Sequence, residues 1–200
     1  MTSVLLFAAG FGTRMLHLVN DRPKPLIPVA GRTLLDHALA QTDIPEVGQR
    51  VINLHHKGQM IRDHLAGTDI LFSAEDPLLE TGGGLRHALP LLGNDPVLTM
   101  NTDAVWRGPN PVKELLAAWR DDMDCLALVV PQARTFGHKG KGDFLLNGKR
   151  QITRGPGPIY TGLQMIRTDT LHDVAQDAFS MMVVWEQMIS RGTMFGVEYS

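Results

Sequence analysis

Two glycines and two basic residues near the start of the chain have the types and spacing expected of an anion-binding site. Gly10 and Gly12 end a short apolar run, and Arg14 and Lys24 follow them. Glycine lacks a Cβ atom, so the backbone can turn sharply and its N–H groups can approach an anion closely. Lys24 lies between two prolines, which restrict the backbone around it. The pattern predicts a polyphosphate site, and the alternative is an ordinary strand and turn with surface basic residues.

Two common glycine-rich signatures do not fit this loop. The dinucleotide fingerprint G-x-G-x-x-G requires a third glycine, and Met15 stands at that position. A Walker A loop ends in Gly-Lys-Ser or Gly-Lys-Thr, and no such triplet follows Gly10. The sequence therefore excludes both templates, and the predicted polyphosphate site is of another kind.

An acidic residue at the end of a later apolar run is a candidate metal ligand. Asp103 closes the stretch 97–103, which is predicted to be a strand. An Asp directly after a strand is most often a cap or turn residue. Here the strand is expected to bring the carboxylate to the same sheet edge as the Gly10 loop. Since Mg²⁺ prefers one or two carboxylates together with phosphate oxygens and water, this placement favours metal ligation by Asp103.

Predicted strands and helices alternate along the chain, and this order decides where the candidate residues lie. The alternation is typical of an α/β fold with a doubly wound, mostly parallel sheet flanked by helices. In such sheets ligands bind outside the carboxyl ends of the strands, where the Gly10 loop is expected. The predicted strands cover residues 4–9, 51–54, 70–72, 97–103, 125–130 and 159–166. The predicted helices begin at 34, 57, 85, 111 and 179, and Thr33 is expected to cap the first of them. The last helix is expected to pack through Phe179, Met182, Val183 and Met188.

Composition narrows the class of protein. The 200 residues are 44% hydrophobic and 20% charged, as in globular chains, and a formal net charge of -2 argues against general nucleic-acid binding. The sequence has no apolar run of membrane-spanning length, and its first residues do not resemble a signal peptide. The one cysteine, Cys125, is expected to be a buried structural thiol and suits a reducing cytoplasm. We therefore expect a cytoplasmic protein with no membrane or nucleic-acid partner.

The two motifs together resemble the signature of the sugar nucleotidyltransferases, also called nucleoside-diphosphate-sugar pyrophosphorylases. These enzymes begin with a strand, a G-x-G-T-R loop and a downstream P-K-P-L segment, as found here at 10–14 and 23–26. The resemblance implies the Rossmann-like nucleotide-diphospho-sugar transferase fold in a single domain over 1–200, with a nucleotide-binding half about 1–105 and a sugar-binding half about 106–200. It also implies that a nucleoside triphosphate and a sugar 1-phosphate are the partners and that Mg²⁺ is the cofactor.

The same resemblance assigns roles to individual residues. It implies that Arg14, Lys24 and Asp103 are catalytic and that Asp103 holds the metal. The implied nucleotide-binding residues are Ala8, Ala9, Gly10, Gly12, Thr13, Glu75, Leu79, Gly82 and Gly83. The implied sugar-binding residues are Asn101, Lys141, Asp143 and Gly162. From its local sequence alone, Gly162 is almost as well explained as a β-bulge.

The stretch Leu79-Glu80-Thr81-Gly82-Gly83-Gly84 is the most distinctive part of the resemblance. Its spelling is similar to that of the uridylyltransferases that act on N-acetylmuramate 1-phosphate in peptidoglycan recycling, which implies UTP as the nucleotide. The three glycines are predicted to precede the helix that begins at Leu85, where a flat ligand could lie directly on backbone. A flexible hinge is the alternative interpretation.

The sequence departs from the family at its carboxyl end and leaves other functions open. Family members continue into a W-x-D-V-G-T element whose Asp completes the metal site, and these residues do not contain it. Either the chain is shortened or this ligand is missing, and a metal held by Asp103 and substrate phosphates alone is expected to bind weakly. A mannose 1-phosphate guanylyltransferase and a non-catalytic nucleotide-sugar-binding module are alternatives. A third alternative is transfer to an alcohol phosphate held in an aromatic cage, for which the available residues are Trp106, Trp119 and Trp185.

Overall fold

A seven-stranded sheet forms the centre of the molecule. The computed structural model describes residues 1–12, 21–93, 95–135 and 140–200. The strands of the sheet are β1 (Thr2–Phe7), β4 (Val47–Leu54), β5 (Leu71–Ala74), β6 (Val97–Asn101), β7 (Cys125–Val130), β10 (Ile159–Ile166) and β11 (Met194–Glu198). Two short ribbons lie outside it and are formed by β2 (Pro28–Val29) with β3 (Arg32–Thr33) and by β8 (Phe144–Leu146) with β9 (Ile152–Arg154).

The strand order confirms the predicted mostly parallel sheet. Across the sheet the order is β11-β7-β10-β6-β1-β4-β5. The pairs β1–β4, β1–β6, β4–β5 and β7–β11 are parallel, and β10 is antiparallel to both of its neighbours. Because β1 lies between β4 and β6 and all three run in the same direction, their carboxyl ends meet at one edge of the sheet.

In the described part of the chain, five α-helices cover the two faces of the sheet. They are α1 (Leu34–Thr42), α2 (Gly58–His64), α3 (Glu80–Leu92), α4 (Pro111–Ala118) and α5 (Met181–Arg191). Successive side chains of a strand point to opposite faces, so Val4 and Leu6 of β1 pack with α1, α2 and α4, whereas Leu5 packs with α3 and α5. The core therefore has one apolar layer on each side of the sheet.

Local sequence signals explain where several helices begin. Thr33 and Asp36 form a capping box at the start of α1, which confirms Thr33 as its cap. The Asn110 side chain accepts hydrogen bonds from two amides at the start of α4, and Pro111 occupies the first turn, where its missing N–H costs nothing. The Ser180 side chain accepts a hydrogen bond from the amide of Met182 at the start of α5.

Several features differ from the sequence prediction, among them the strand β11 (Met194–Glu198), which was not predicted. Helix α3 begins at Glu80 and not at Leu85, so the glycine triplet lies inside its first turns. Met182 and Val183 of α5 are 48% and 42% exposed, so the prediction that both are core residues is wrong, whereas Phe179 and Met188 are buried as expected. The two short ribbons were not predicted, because strands of two or three residues have no readable periodicity.

No helix in the described part of the chain is both long and apolar enough to cross a bilayer. The sheet takes strands from both proposed halves of the chain, and the division of roles near residue 105 stays a prediction.

Candidate functional site

A cavity of about 330 Å³ opens at the edge where β1 and β6 end. Its walls come from the loop after β1, the Lys24 segment, the end of β6 and the residues around the start of α3. The lining residues are Phe7, Ala8, Ala9, Gly10, Gly12, Lys24, Pro25, Asn53, Leu78, Glu80, Thr81, Asn101, Thr102 and Asp103. The structure therefore brings the glycine loop, Lys24 and Asp103 into one site.

Lys24 and Asp103 form an ion pair in this cavity. The Nζ atom of Lys24 lies 2.5 Å from Oδ2 of Asp103, and the two side chains keep 26% and 42% of their surface exposed. A short 3₁₀ helix over Lys24–Leu26 carries the lysine, and its Pro25 and Leu26 are buried, which anchors the segment. Both charged groups are thus held in place while they remain accessible to a ligand.

The carboxyl ends of β1 and β6 are joined by a side-chain hydrogen bond. The Thr102 hydroxyl donates to the carbonyl oxygen of Phe7 at 2.7 Å. Thr102 precedes Asp103, so this bond fixes the backbone from which the Asp103 carboxylate projects. Sequence reasoning missed Thr102, although a hydroxyl at a strand end beside a candidate metal ligand was a usable signal.

The loop after β1 has two kinds of backbone amide. The N–H groups of Ala8 and Ala9 donate to Oδ1 of Asn53 at 2.7 and 3.3 Å, so a protein group already occupies them. Within the described residues, the N–H groups of Gly10 and Gly12 donate to no protein acceptor. Gly12 has φ +66°, a conformation that glycine adopts without strain. The amides of Gly10 and Gly12 are therefore sterically and chemically available for the predicted nucleotide contacts. Ala8 and Ala9 line the cavity, but their amides are bonded to Asn53.

Two of the predicted site residues fall outside the described part of the chain. Thr13 and Arg14 belong to the segment 13–20, of which nothing is described. Their roles as a nucleotide-binding residue and a catalytic cation stay predictions.

Glu75 and two glycines of α3 make hydrogen bonds within the protein. Glu75 is buried, and its two carboxylate oxygens accept hydrogen bonds from the Asn53 side chain and from the amide of Leu79. The N–H groups of Gly82 and Gly83 both donate to the carbonyl oxygen of Phe179. A Cβ atom at Gly82 would lie 2.4 Å from the Phe179 ring. These residues pack against protein and do not line the cavity, and the expected contact of Glu75, Gly82 and Gly83 with a nucleobase stays a prediction.

Residues next to Glu75 and the glycines in the sequence form the cavity wall near the start of α3. Leu78, Glu80 and Thr81 line the cavity, and Leu79 lies between them as the residue before the helix. The cavity-lining residues of this segment therefore differ from the predicted base-binding residues by one to three positions. The difference arises because the helix begins at Glu80 and turns the glycines toward residues 177–179.

The predicted sugar-binding residues are only partly brought together. Asn101 lines the cavity, and Gly162 packs against it with φ +84°. The register of β10 against β7 shifts around Gly162, which confirms the β-bulge interpretation. Asp143 accepts a hydrogen bond from the amide of Tyr160 at 2.9 Å, and Lys141 is exposed. Neither Lys141 nor Asp143 is among the residues that line the cavity.

The three tryptophans do not form a cage. Trp106 packs edge-to-face on Tyr199, and Trp119 belongs to the same apolar layer. Trp185 is buried in the layer on the other side of the sheet, where its indole N–H donates to Gln164. The alternative of a caged alcohol phosphate therefore loses its structural basis.

Asp103 fits the requirements of Mg²⁺ better than those of a metal held by protein alone. Among the described residues, no group of three or more His, Cys, Asp or Glu side chains is placed to hold a metal ion. The accessible carboxylate of Asp103 lies in the same cavity as the amides of Gly10 and Gly12, and its predicted role as an Mg²⁺ ligand shared with substrate phosphates stays a prediction. Cys125, by contrast, is fully buried, and burial raises the pKa of its thiol, as expected of a structural cysteine.

A family model and the curated relatives both identify the chain as similar to nucleotidyltransferases. Residues 4–154 match the model of the MobA-like NTP transferase domain. The chain is 32% identical to the N-acetylmuramate alpha-1-phosphate uridylyltransferase of Caulobacter vibrioides, over 96% of this chain and 86% of that protein. It is 34% identical to the bifunctional protein GlmU of Burkholderia multivorans, over 60% of this chain and 26% of that protein.

Solved structures with low sequence identity share the fold. HddC from Yersinia pseudotuberculosis superposes with a TM-score of 0.79 at 20% identity, over 99% of this chain and 90% of that one. The inositol-1-phosphate CTP transferase from T. maritima superposes with a TM-score of 0.80 at 14% identity, over 99% of this chain and 85% of that one.

Proposed function

Because the chain belongs to the family of MobA-like NTP transferases, we propose that it transfers a nucleotidyl group from a nucleoside triphosphate to a sugar 1-phosphate and releases pyrophosphate. The observation that carries this proposal is the meeting of Lys24 and Asp103 in one cavity with the amides of Gly10 and Gly12, which donate to no acceptor among the described residues. A cation, an anion that can hold a metal and open backbone donors are the groups that bind a triphosphate.

The proposed reaction needs positioning and charge neutralisation more than covalent help. An oxygen of the sugar phosphate attacks the α-phosphorus and forms a new P–O bond. The bond between the α-phosphorus and the bridging oxygen breaks, and pyrophosphate leaves with the electron pair. The attacking phosphate is already ionised, so the reaction requires no general base. Lys24 and the amides of Gly10 and Gly12 would stabilise the charge on the phosphate oxygens, and Arg14 is proposed to assist them.

Asp103 is the proposed ligand of Mg²⁺. When bound, the ion would neutralise phosphate charge and hold the phosphate oxygens in a fixed geometry. The ion pair with Lys24 places both groups at one end of the cavity. When substrate binds, Lys24 is proposed to turn from the carboxylate to a phosphate, which leaves Asp103 free for the metal.

UTP and N-acetylmuramate 1-phosphate are the proposed substrates. The support is the 32% identity to a uridylyltransferase of that specificity over 96% of the chain, together with the Leu79–Gly84 spelling described above. Leu78, Leu79, Glu80 and Thr81 are the proposed surroundings of the base. Asn101 and Gly162 are proposed to border the sugar, and Lys141 and Asp143 to approach it from the segment that begins at residue 140.

A substrate panel tests this proposal. Purified protein with Mg²⁺ is mixed with UTP, GTP, CTP, dTTP or ATP and, for each, with N-acetylmuramate, N-acetylglucosamine or mannose 1-phosphate. Released pyrophosphate is measured, and the masses of the products are determined by mass spectrometry. We expect UTP with N-acetylmuramate 1-phosphate to give the highest kcat/KM and the mass of the corresponding UDP-sugar. Highest activity with GTP and mannose 1-phosphate would support a guanylyltransferase, and nucleotide binding without pyrophosphate release would support a non-catalytic module.

A further inference from the structure

The side chain of Asn53 connects the loop after β1 to the segment that leads into α3. It lies near the end of β4, is 3% exposed and lines the cavity. Its Oδ1 atom accepts from the amides of Ala8 and Ala9, and its Nδ2 atom donates to Oε1 of Glu75 at 2.7 Å. The hydrogen bonds that the Asn53 side chain makes with described residues therefore reach two segments of the site, the loop after β1 and the segment that contains Glu75.

Glu75 continues the connection. Its second oxygen, Oε2, accepts from the amide of Leu79 at 2.9 Å, immediately before the start of α3. Both oxygens of this buried carboxylate therefore receive hydrogen bonds from described residues. Gly84 makes room for it, since a Cβ atom there would lie 2.5 Å from Oε1. The chain of hydrogen bonds from Ala8 and Ala9 through Asn53 and Glu75 to Leu79, called the bridge below, thus joins the loop after β1 to the segment before α3.

We propose that Asn53 and Glu75 are positioning residues that hold the glycine loop and the Leu78–Thr81 wall at a fixed separation. They act through the amides of Ala8, Ala9 and Leu79 and do not themselves contact the reacting atoms. What this separation serves rests on the proposed function, because the loop is where the phosphates would bind and the wall is where the base would lie.

The bridge is specified by the pattern of donors and acceptors. The backbone amides at both ends only donate, so each end of the bridge must present an acceptor. Asn53 provides the one donor in the middle, and Glu75 provides the matching acceptor. The Asn53 amide therefore has one suitable orientation, because a flip would turn its N–H₂ toward the Ala8 and Ala9 amides and its oxygen toward the Glu75 carboxylate.

Either of two isosteric substitutions, Asn53→Asp or Glu75→Gln, should therefore be enough by itself to break the bridge. Asn53→Asp sets two carboxylate oxygens against each other in a buried place, which is unfavourable while both are charged. Glu75→Gln leaves an amide N–H₂ facing either the Asn53 N–H₂ or the Leu79 N–H. An unpaired buried donor has a large cost, so each variant is expected to bind UTP about tenfold more weakly or worse.

The double variant Asn53→Asp with Glu75→Gln should restore the bridge. The new aspartate accepts from the amides of Ala8 and Ala9 and from the N–H₂ of the new glutamine. The glutamine oxygen accepts from the Leu79 amide. Every hydrogen bond is replaced, the net charge is unchanged, and the side-chain sizes are nearly the same.

The experiment compares these three variants with the wild type and with Ser3→Ala. Ser3 is buried on the same β1 strand, and its hydroxyl donates to the Leu92 carbonyl at the opposite end, away from the cavity. Amide hydrogen exchange is first measured by mass spectrometry without nucleotide, at mildly alkaline pH, for peptides that cover 4–12 and 76–84. UTP binding is then measured by calorimetry, and thermal unfolding is recorded for every variant.

We expect faster exchange in both peptides and weaker UTP binding in each single variant, and recovery of both in the double variant. Ser3→Ala should lower the unfolding temperature and leave UTP binding unchanged. Unchanged exchange in the single variants, a change confined to one peptide, or a double variant as impaired as the sum of the singles would overturn the proposal. If exchange follows the expected pattern while the wild type binds no UTP, the bridge stands and the proposed nucleotide is wrong.

Discussion

The Nζ atom of Lys24 lies 2.5 Å from Oδ2 of Asp103, although 79 residues separate the two in the chain. The fold produces this contact by placing a proline-flanked segment over the carboxyl end of β6, which lies next to β1 in the sheet. Without substrate, each group neutralises the other. The proposed binding of a triphosphate with Mg²⁺ would give each a new partner of opposite charge.

Replacing Lys24 by Met should strongly reduce activity. The change keeps the length of the side chain and removes its charge, so charge stabilisation of the phosphates is lost while the packing of Pro25 and Leu26 stays. We expect kcat/KM for pyrophosphate release to fall about 100- to 1,000-fold, as for other preorganised donors. Lys149→Met is the matched control, since Lys149 is exposed in the turn after β8 and lines no part of the cavity. Equal activity of the two variants would exclude Lys24 from the site.

Asp103→Asn should uncouple nucleotide binding from Mg²⁺. In the wild type, calorimetry is expected to show tighter UTP binding with Mg²⁺ than with a chelator present, because the metal bridges the carboxylate and the phosphates. The amide is a poorer ligand, so the variant should bind UTP with nearly equal affinity in both conditions. Asp173→Asn, at an exposed position away from the cavity, should behave as the wild type. An undiminished Mg²⁺ effect in Asp103→Asn would mean that other residues hold the metal.

Gly84→Ala tests the bridge of Asn53 and Glu75 from a third residue, which packs against the Glu75 carboxylate. Alanine favours a helix over glycine by about 1 kcal/mol, so propensity alone predicts a more stable protein. The new Cβ atom would lie 2.5 Å from Oε1 of Glu75, and the carboxylate must move. We expect packing to outweigh propensity, with weaker UTP binding and a lower unfolding temperature. Gly148→Ala has open space around its Cβ position and should change neither measurement.

A Gly162→Ala variant separates backbone strain from steric contact. Gly162 and Gly67 have nearly equal φ values of +84° and +83°, so alanine costs about 1–2 kcal/mol of conformational energy at both. Only at Gly162 would the Cβ atom also meet Asn101, at 2.7 Å. Urea unfolding should therefore show a larger loss for Gly162→Ala than for Gly67→Ala, and only the former should raise KM for the sugar phosphate. Equal losses in both variants, with KM unchanged, would remove the proposed link between Gly162 and Asn101.

The stability of the α1 start should depend on pH through Asp36. Burial acts to raise the pKa of this carboxyl, but hydrogen bonds from His64 and Thr33 outweigh it and hold the pKa below its ordinary value. A carboxyl with a lowered folded-state pKa stabilises the protein above its unfolded-state pKa, and this contribution disappears as the pH falls through the folded-state pKa.

Asp36→Asn should accordingly lower the free energy of unfolding only where the carboxylate is charged. We expect a loss of about 0.5–1 kcal/mol at neutral pH, since solvent partly screens the pair, and no difference from the wild type at strongly acidic pH. Urea unfolding at a series of pH values measures this. A difference that persists at the acidic end would show that the charge of Asp36 is not its cause.

The two ends of the cavity could be predicted from sequence because their signals are local. Gly10, Gly12 and Lys24 are recognisable by type and spacing, and Asp103 follows an apolar strand directly. The parallel order of β1 and β6 then brings them to one edge without further information. The sequence also indicated caps such as Thr33, since capping depends on residues only three positions apart.

The bridge of Asn53 and Glu75 could not be predicted in the same way. It depends on bonds between residues 45 and 22 positions apart, which exist only after β1, β4 and β5 are paired. The glycine triplet was misplaced for a related reason. The contact of Gly82 with Phe179 joins α3 to a segment nearly a hundred residues later, and no periodicity in the sequence reports it. A polar residue inside the apolar run 51–54 was the one available clue.

A crystal structure with a non-hydrolysable UTP analogue and Mg²⁺ tests the central claim most directly. We predict phosphate oxygens within hydrogen-bond distance of the Gly10 and Gly12 amides and of Lys24 Nζ, with the metal on Asp103 and the base beside Leu78–Thr81. Nucleotide bound elsewhere on the molecule, or bound in this cavity with the Lys24–Asp103 pair intact and both groups away from the phosphates, would contradict the account.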